Sequence, residues 1–203
     1  MDYEKPICII YNPHSGKKTN LVPRIEARLS KQSVKYEMMP TQKAGDTFTF
    51  ARDIDFSKYS AVIAAGGDGT YHEVINGMLA RKDGAKIPLG FIPNGSGNDL
   101  CTSLGIMDLE DSLDYICAKT VMKFDTIRVL ADHESEEGIA PEDRLMYCRF
   151  MDINACMAMP ARINFNAKPY KSCCGKMSYK ISTMKLACSC NIIPDIYDVE
   201  LDG

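Results

Sequence analysis

Along the first hundred residues, apolar positions alternate between short continuous runs and stretches in which they recur every third or fourth residue. The run from Pro6 to Tyr11 is rich in Ile and bounded by Asn12-Pro13 and Ser15-Gly16, which reads as a buried strand entering a turn. Leu21, Ile25 and Leu29 follow at fourfold spacing and predict a helix packed by one face. Val34 to Met39 reads as a second strand and Asp46 to Arg52 as a second helix. Ser60 to Ala65 is a third apolar strand, after which Val74, Ile75, Met78 and Leu79 mark the apolar face of another helix. Ile87 to Ile92 is a fourth strand. It ends at Pro93-Asn94-Gly95-Ser96-Gly97, where Asn98 or Asp99 can cap a helix reaching Leu104. Such alternation predicts an α/β fold built on an open, mainly parallel sheet with helices on both faces.

The rhythm changes near Thr120. Phe124, Ile127 and Val129 to Leu130 form an extended segment, Asp132 to Asp143 reads as an acidic surface loop, and Leu145 to Ile153 as the hairpin partner of the extended segment. Lys176 to Cys190 reads as helical and Asp195 to Leu201 alternates like a strand. Two domains are expected: an α/β domain over residues 1–120, and the beginning of an incomplete, β-rich second lobe over 121–203.

Composition narrows the function classes. A length of 203 residues with 45% hydrophobic content supports a packed core, and a net charge of −3 leaves no basic field for nucleic acid. The start Met1-Asp2-Tyr3-Glu4-Lys5 lacks signal-peptide character and no apolar run is long enough to span a bilayer, so a cytoplasmic location is expected. Nine cysteines then read as reduced thiols. Cys173-Cys174 and Cys188-Ser189-Cys190 lack Cys-x-x-Cys spacing and read as buried or surface thiols rather than as a zinc site. The twelve methionines read as core filler.

Three Gly-rich turns follow three apolar strands and therefore converge on the carboxyl edge of the sheet, where open α/β sheets bind ligands. Glycine there lets backbone N–H groups approach phosphate oxygens, and a following helix start adds partial positive charge. A hairpin at Gly66-Gly67-Asp68-Gly69 would need a period-two strand after it, and the helical spacing from Val74 to Leu79 argues against one. Asp68 then stands where a carboxylate could organise magnesium, accept a proton from an attacking hydroxyl, or cap a helix. His72 reads as a surface or packing histidine, Glu73 as a complement to the helix dipole, His14 as a turn residue, and Lys17 and Lys18 as solvated, although a lysine near phosphates would contribute charge.

Asn12-Pro13-His14-Ser15-Gly16, Gly66-Gly67-Asp68-Gly69-Thr70 with Glu73-Val74-Ile75-Asn76-Gly77, and Pro93-Asn94-Gly95-Ser96-Gly97-Asn98-Asp99 together resemble the diacylglycerol kinase catalytic-domain family. The Glu-Val-x-Asn-Gly continuation is more similar to its sphingosine kinase, ceramide kinase and bacterial lipid kinase branch. The resemblance covers residues 6 to 130. It implies transfer of the γ-phosphate of ATP, with Mg2+, to the hydroxyl of diacylglycerol, a sphingoid base or ceramide. It further implies Asp68 as the catalytic acid residue and an ATP site made by Asn12, Pro13, Ser15, Gly16, Thr41, Gly66, Gly67, Gly69, Thr70, Glu73, Gly95, Ser96, Gly97 and Asn98. No metal ligand is assigned. The partner is a lipid at a membrane surface, which implies peripheral attachment.

Met159-Pro160-Ala161-Arg162 replaces most of the family's acceptor-side stretch, with Arg162 standing where sphingosine-type members carry an acid. Lys176 to Tyr179 resembles the helix before the β-sandwich lobe, and Val199 to Gly203 an early strand of it. An incomplete lobe predicts weak activity in this length of chain and association through its exposed edge, including homo-oligomers. The alternative functions are a nucleotide-binding regulatory module and a soluble-substrate kinase of the NAD kinase type.

Overall fold

Strands β1 (Ile7–Tyr11), β2 (Tyr36–Pro40), β3 (Ala61–Gly66) and β4 (Leu89–Pro93) form one parallel sheet in the order β2-β1-β3-β4. The computed structural model describes residues 4–13, 21–130, 148–151, 158–175 and 177–188. The central strands are buried on both faces, which is why they read as continuous apolar runs. Cys8, Ile10, Val62 and Ala64 face α2 (Asp46–Asp53) and α3 (Asp68–Leu79). Ile7, Ile9, Ala61, Ile63 and Ala65 face α1 (Leu21–Lys31) and α5 (Leu109–Cys117). The α/β architecture expected from the sequence is the one observed.

The sequence reading passed over α5. Its signals are present: the Asp108 carboxylate accepts from the N–H groups of Glu110 at 2.8 Å and Asp111 at 3.0 Å, acids fill the first turn, and Leu109, Leu113 and Ile116 are buried. Without α5, one face of β3 and β4 would lie open. Elsewhere the boundaries move slightly. β2 starts at Tyr36 because Ser33 adopts a left-handed φ of 54° and the Val34 N–H is taken by the Leu29 carbonyl, closing α1. Val34 is thus a buried turn residue, and Leu79, assigned to the apolar face of α3, is 37% exposed.

Arg81, just past α3, ties that helix to the end of α2. Its side chain is 8% exposed, donates to the carbonyls of Arg52 and Ile54, both at 2.7 Å, and lies 3.8 Å from the Phe56 ring centroid. Arg81→Met is expected to cost about 2 kcal/mol, since hydrogen bonds from a charged group to buried carbonyls are lost. Urea unfolding measures it. Arg81→Lys should recover little, because an ammonium lacks the planar fork that reaches both carbonyls while stacking on a ring. Full recovery would show that charge alone matters.

Two thiols sit deep in the core. Burial, with Glu37 adding repulsion, pushes the Cys8 thiol up to about 12, and burial pushes the Cys101 thiol up to about 11.

The expected hairpin is present: β5 (Ile127–Leu130) pairs antiparallel with β6 (Cys148–Met151), with Ile127 opposite Met151 and Leu130 opposite Cys148. The chain divides into two compact units, Met1–Ile153 and Asn154–Gly203. In the second, α6 (Ala158–Ala167), α7 (Lys171–Cys174) and α8 (Met177–Cys188) are described, and the Ser182 hydroxyl donates to the Ile163 carbonyl at 2.8 Å. The helix read at Lys176 to Cys190 is α8. The loop read at Asp132 to Asp143 and the strand read at Asp195 to Leu201 lie outside the described residues. Among the described residues no helix is long and apolar enough to cross a membrane.

Candidate phosphate-binding site

Parallel pairing aligns the strand ends and so places the turns in one row. Tyr11 is level with Pro40 and Ala65, and Gly66 with Pro93. Asn12, Thr41, Gly66-Gly67 and Asn94 to Asn98 therefore leave the sheet along one edge. Main-chain bonds hold the row beyond the strands: the Thr41 N–H reaches the Tyr11 carbonyl at 2.9 Å, and the Asn94 N–H reaches the Gly66 carbonyl at 2.7 Å. The Asn12 N–H lies 3.4 Å from the Ala65 carbonyl. Thr41 is buried, and the Asp46 carboxylate fixes the loop after it by accepting from the N–H groups of Gln42 and Lys43. Those two bonds hold the Asp46 carboxyl below its ordinary range. Pro13 is exposed beside Asn12, whereas His14, Ser15, Gly16, Lys17 and Lys18 lie outside the described residues.

The loop after β3 and the loop after β4 touch through their backbones. A Cβ on Gly67 would stand 2.9 Å from the Gly95 Cα, and one on Gly95 would stand 2.4 Å from the Gly67 Cα. On Gly97 it would meet the Asp68 carboxylate at 2.8 Å. Backbone contact thus requires glycine at 67 and 95, whereas at 97 the neighbour is the end of the Asp68 side chain. Gly66 is likewise fixed by the Thr70 side chain, which is buried and would meet its Cβ at 2.3 Å. Gly69 differs. It is exposed, carries no left-handed φ, and a Cβ there would find nothing within 4 Å. Nothing in the described fold demands glycine at 69, although glycine weakens a helix.

Asp68 begins α3, yet its carboxylate serves the neighbouring helix α4 (Asp99–Ser103), accepting from the N–H of Asn98 at 2.8 Å and of Leu100 at 3.4 Å. The expectation that Asn98 or Asp99 caps α4 with its own side chain is corrected. Asn98 has a left-handed φ of 60° and its amide folds back, its Oδ1 accepting from the Gly95 N–H at 2.8 Å and its Nδ2 donating to the Gly95 carbonyl at 3.1 Å. That brace occupies the Asn98 amide within the Gly95 to Asn98 turn and leaves the start of α4 to Asp68. Two of the four or so acceptor positions of an ionised carboxylate are then used, so others stay available.

Glu73 is half-buried, four residues after Gly69 and hence on the same helix face. Ser96 is exposed at the tip of its turn. Two contributors were missed in the sequence. Tyr71 is fully buried, with its hydroxyl 2.7 Å from the Gly66 carbonyl and 3.0 Å from the Ile92 carbonyl, bridging the ends of β3 and β4. Burial holds its hydroxyl above the ordinary tyrosine range. In sequence it reads as one more core aromatic. Asp99, exposed, has its carboxylate oxygen 3.3 Å from the position of a Gly97 Cβ, on which Asp68 also borders, so two carboxylates flank Gly97. Its signal was the Asn98-Asp99 pair, read only as a cap.

Among the described residues no three His, Cys, Asp or Glu side chains are grouped to hold a metal by themselves. The row of loops lies along the carboxyl edge of the sheet. A separate cavity of about 820 Å³ lies between β4 and the segment 120–126, bounded by Ile63, Phe91, Ile116, Val121 and Phe124, and none of the glycine loops lines it.

Comparison with known proteins places these motifs in context. The sequence model described as "Diacylglycerol kinase catalytic domain" matches residues 6–129. Sphingosine kinase B of Dictyostelium discoideum is 36% identical over 109 residues, 51% of this chain and 14% of that protein. A diacylglycerol kinase of Staphylococcus epidermidis is 38% identical over 121 residues, 58% of this chain and 37% of that protein. In the crystal structure of a diacylglycerol kinase from Bacillus anthracis str. Sterne, the same fold recurs with a TM-score of 0.52 and 24% identity, covering 63% of this chain and 47% of that one. The chain thus spans less than half the length of each of these relatives.

Proposed function

We infer, from the fact that this chain belongs to the diacylglycerol kinase catalytic-domain family, that it is the nucleotide-binding part of a kinase that moves the γ-phosphoryl group of ATP to the hydroxyl of a lipid. The observation that carries the reading is Gly69. It is an exposed glycine that the fold does not need, in the first turn of a helix that starts at the carboxyl edge of the sheet. A phosphate drawn close to backbone N–H groups at a helix N-terminus supplies the missing reason.

In this reading Gly66, Gly67, Gly69 and Thr70 cradle the phosphates from one side, and Gly95, Ser96, Gly97 and Asn98 from the other. Asn12, Pro13, Ser15, Gly16 and Thr41 complete the nucleotide cleft, and Glu73 supports the Gly69 face. Asp68 and Asp99 flank Gly97 with oxygen donors of the kind that hold magnesium together with substrate phosphates. Magnesium bound there would neutralise charge on the phosphates. Asp68 also accepts the proton as the lipid oxygen bonds to the γ-phosphorus and the bond to the β-phosphate oxygen breaks. Ordering the two loops in advance lowers the cost of positioning. The acceptor is diacylglycerol or a sphingoid base, classes suggested by the names of the relatives, or the related lipid ceramide, met at a membrane surface.

Gly69→Ala separates ligand from fold because the two effects have opposite signs. The variant should fold as well as the native chain, or gain up to about 1 kcal/mol from helix propensity. ATP affinity should fall roughly tenfold as the methyl intrudes on the phosphates. Calorimetric titration with Mg-ATP measures the affinity, and unchanged binding would sink the cradle. Labelled ATP with a panel of diacylglycerol, sphingoid base, ceramide and NAD then tests the acceptor.

A further inference from the structure

Asn76 is a polar side chain in the middle of α3, between buried Val74, Ile75 and Gly77, and itself only 5% exposed. Asparagine is a poor helix residue, and burial of its amide is costly unless every polar atom is paired. Here all are paired. Its Nδ2 donates to the His72 carbonyl at 2.9 Å and to the Phe150 carbonyl at 3.0 Å, and its Oδ1 accepts from the Phe150 N–H at 2.8 Å. The side-chain amide therefore acts toward β6 as a peptide of a neighbouring strand would. In an antiparallel ladder the N–H and C=O of one residue point the same way. Those of Phe150 are turned to Asn76 rather than to Arg128, its partner in β5. One side chain thus seals part of the outer edge of the hairpin.

We propose that Asn76 is a positioning residue that sets the hairpin at a fixed offset from the phosphate loop. α3 connects the two rigidly: Asp68 opens the helix and Asn76 lies about 12 Å further along its axis. β6 is the last described element of the first unit, so the strand from which the chain leaves that unit is pinned to the helix that begins with the Gly66 to Thr70 turn. The proposal rests on the kinase reading for its catalytic consequence: Asn76 touches no nucleotide, and its loss misplaces the β5-β6 hairpin relative to the bound phosphates. It acts on turnover and not on ATP affinity.

The test uses Asn76→Leu, which keeps the volume and removes all three bonds, and Asn76→Asp, which keeps only the acceptor toward the Phe150 N–H. In both variants and the native protein, hydrogen exchange at the Phe150 amide, ATP binding by calorimetry, and kcat and KM for lipid phosphorylation are measured. Exchange at Phe150 should quicken in Asn76→Leu more than in Asn76→Asp, with ATP affinity unchanged and kcat reduced in the same order. If Asn76→Leu unfolds, Asn76→Asp carries the comparison, because it retains the bond to Phe150. Phe150 exchange equal in all three proteins would overturn the latch, and ATP affinity falling in step with kcat would make Asn76 part of the nucleotide site instead. Absence of both Mg-ATP binding and lipid phosphorylation in the native protein would defeat the kinase reading, and the exchange data would still decide the latch.

Discussion

Asp68→Asn is expected to reduce lipid phosphorylation roughly 10²–10⁴-fold while leaving most of the fold intact. The magnitude is that of a lost general base, and the structure says why stability should suffer less. Asp68 caps α4 through bonds to the N–H groups of Asn98 and Leu100, and the shorter of these, at 2.8 Å, can be kept by the amide oxygen of asparagine. What is lost is charge and the weaker second bond, worth about 1 kcal/mol as caps go. Asp68→Ala removes both and provides the contrast, with a larger fall in melting temperature. Turnover of both variants with magnesium titrated, alongside thermal unfolding, separates the roles. Near-native turnover in Asp68→Asn would rule out chemistry at this carboxylate. A large drop in melting temperature for the same variant would instead make the cap its main role.

Gly77→Ala should destabilise the protein by about 3 kcal/mol, the upper range for overpacking in a core. Its Cβ would stand 2.4 Å from the Phe48 carbonyl oxygen and 2.9 Å from the Ala51 Cβ, so α2 and α3 can pack only because residue 77 lacks a side chain. Neither contact yields easily, since one is backbone and the other a side chain with no rotamers. Denaturant unfolding measures the loss, and a change under about 1 kcal/mol would show that α2 shifts without strain. ATP affinity of the folded fraction should not change, because Gly77 lies more than two helical turns from Asp68. The contrast with Gly69→Ala is instructive: two glycines of one helix, one required by a neighbouring helix and the other by nothing in the described fold.

Much of the fold was legible in the sequence because strands buried on both faces read as short continuous apolar runs bounded by turn residues. Ile7 to Ile10 and Ala61 to Ala65 are continuous apolar runs, and the fourfold spacing of Leu21, Ile25 and Leu29 is the face of α1 now found buried. The helix α5 went unread although its cap, its acidic first turn and its spacing were all present. For the candidate site, the sequence marked which turns leave the sheet at its carboxyl edge. It could not tell which glycine answers to which neighbour, because Gly67 meets Gly95 and Gly97 meets Asp68 across some 30 positions of chain.

By itself the sequence determined the alternation of strands and helices, the parallel sheet and the convergence of the glycine turns, since these follow from periodicity and from short local signals. Only the tertiary structure decided what the polar residues do. Asp68 looked like a free carboxylate or a cap for its own helix, and it caps another. Asn76 stood in the sequence only as part of a motif, and it binds the backbone of Phe150. Tyr71 drew no reading in the sequence, and its hydroxyl joins two strand ends. Apolar burial is written along the chain because each side chain needs only to leave water. A hydrogen bond needs a particular partner at a particular distance, and for these residues the partner is supplied by a remote segment that only folding brings near.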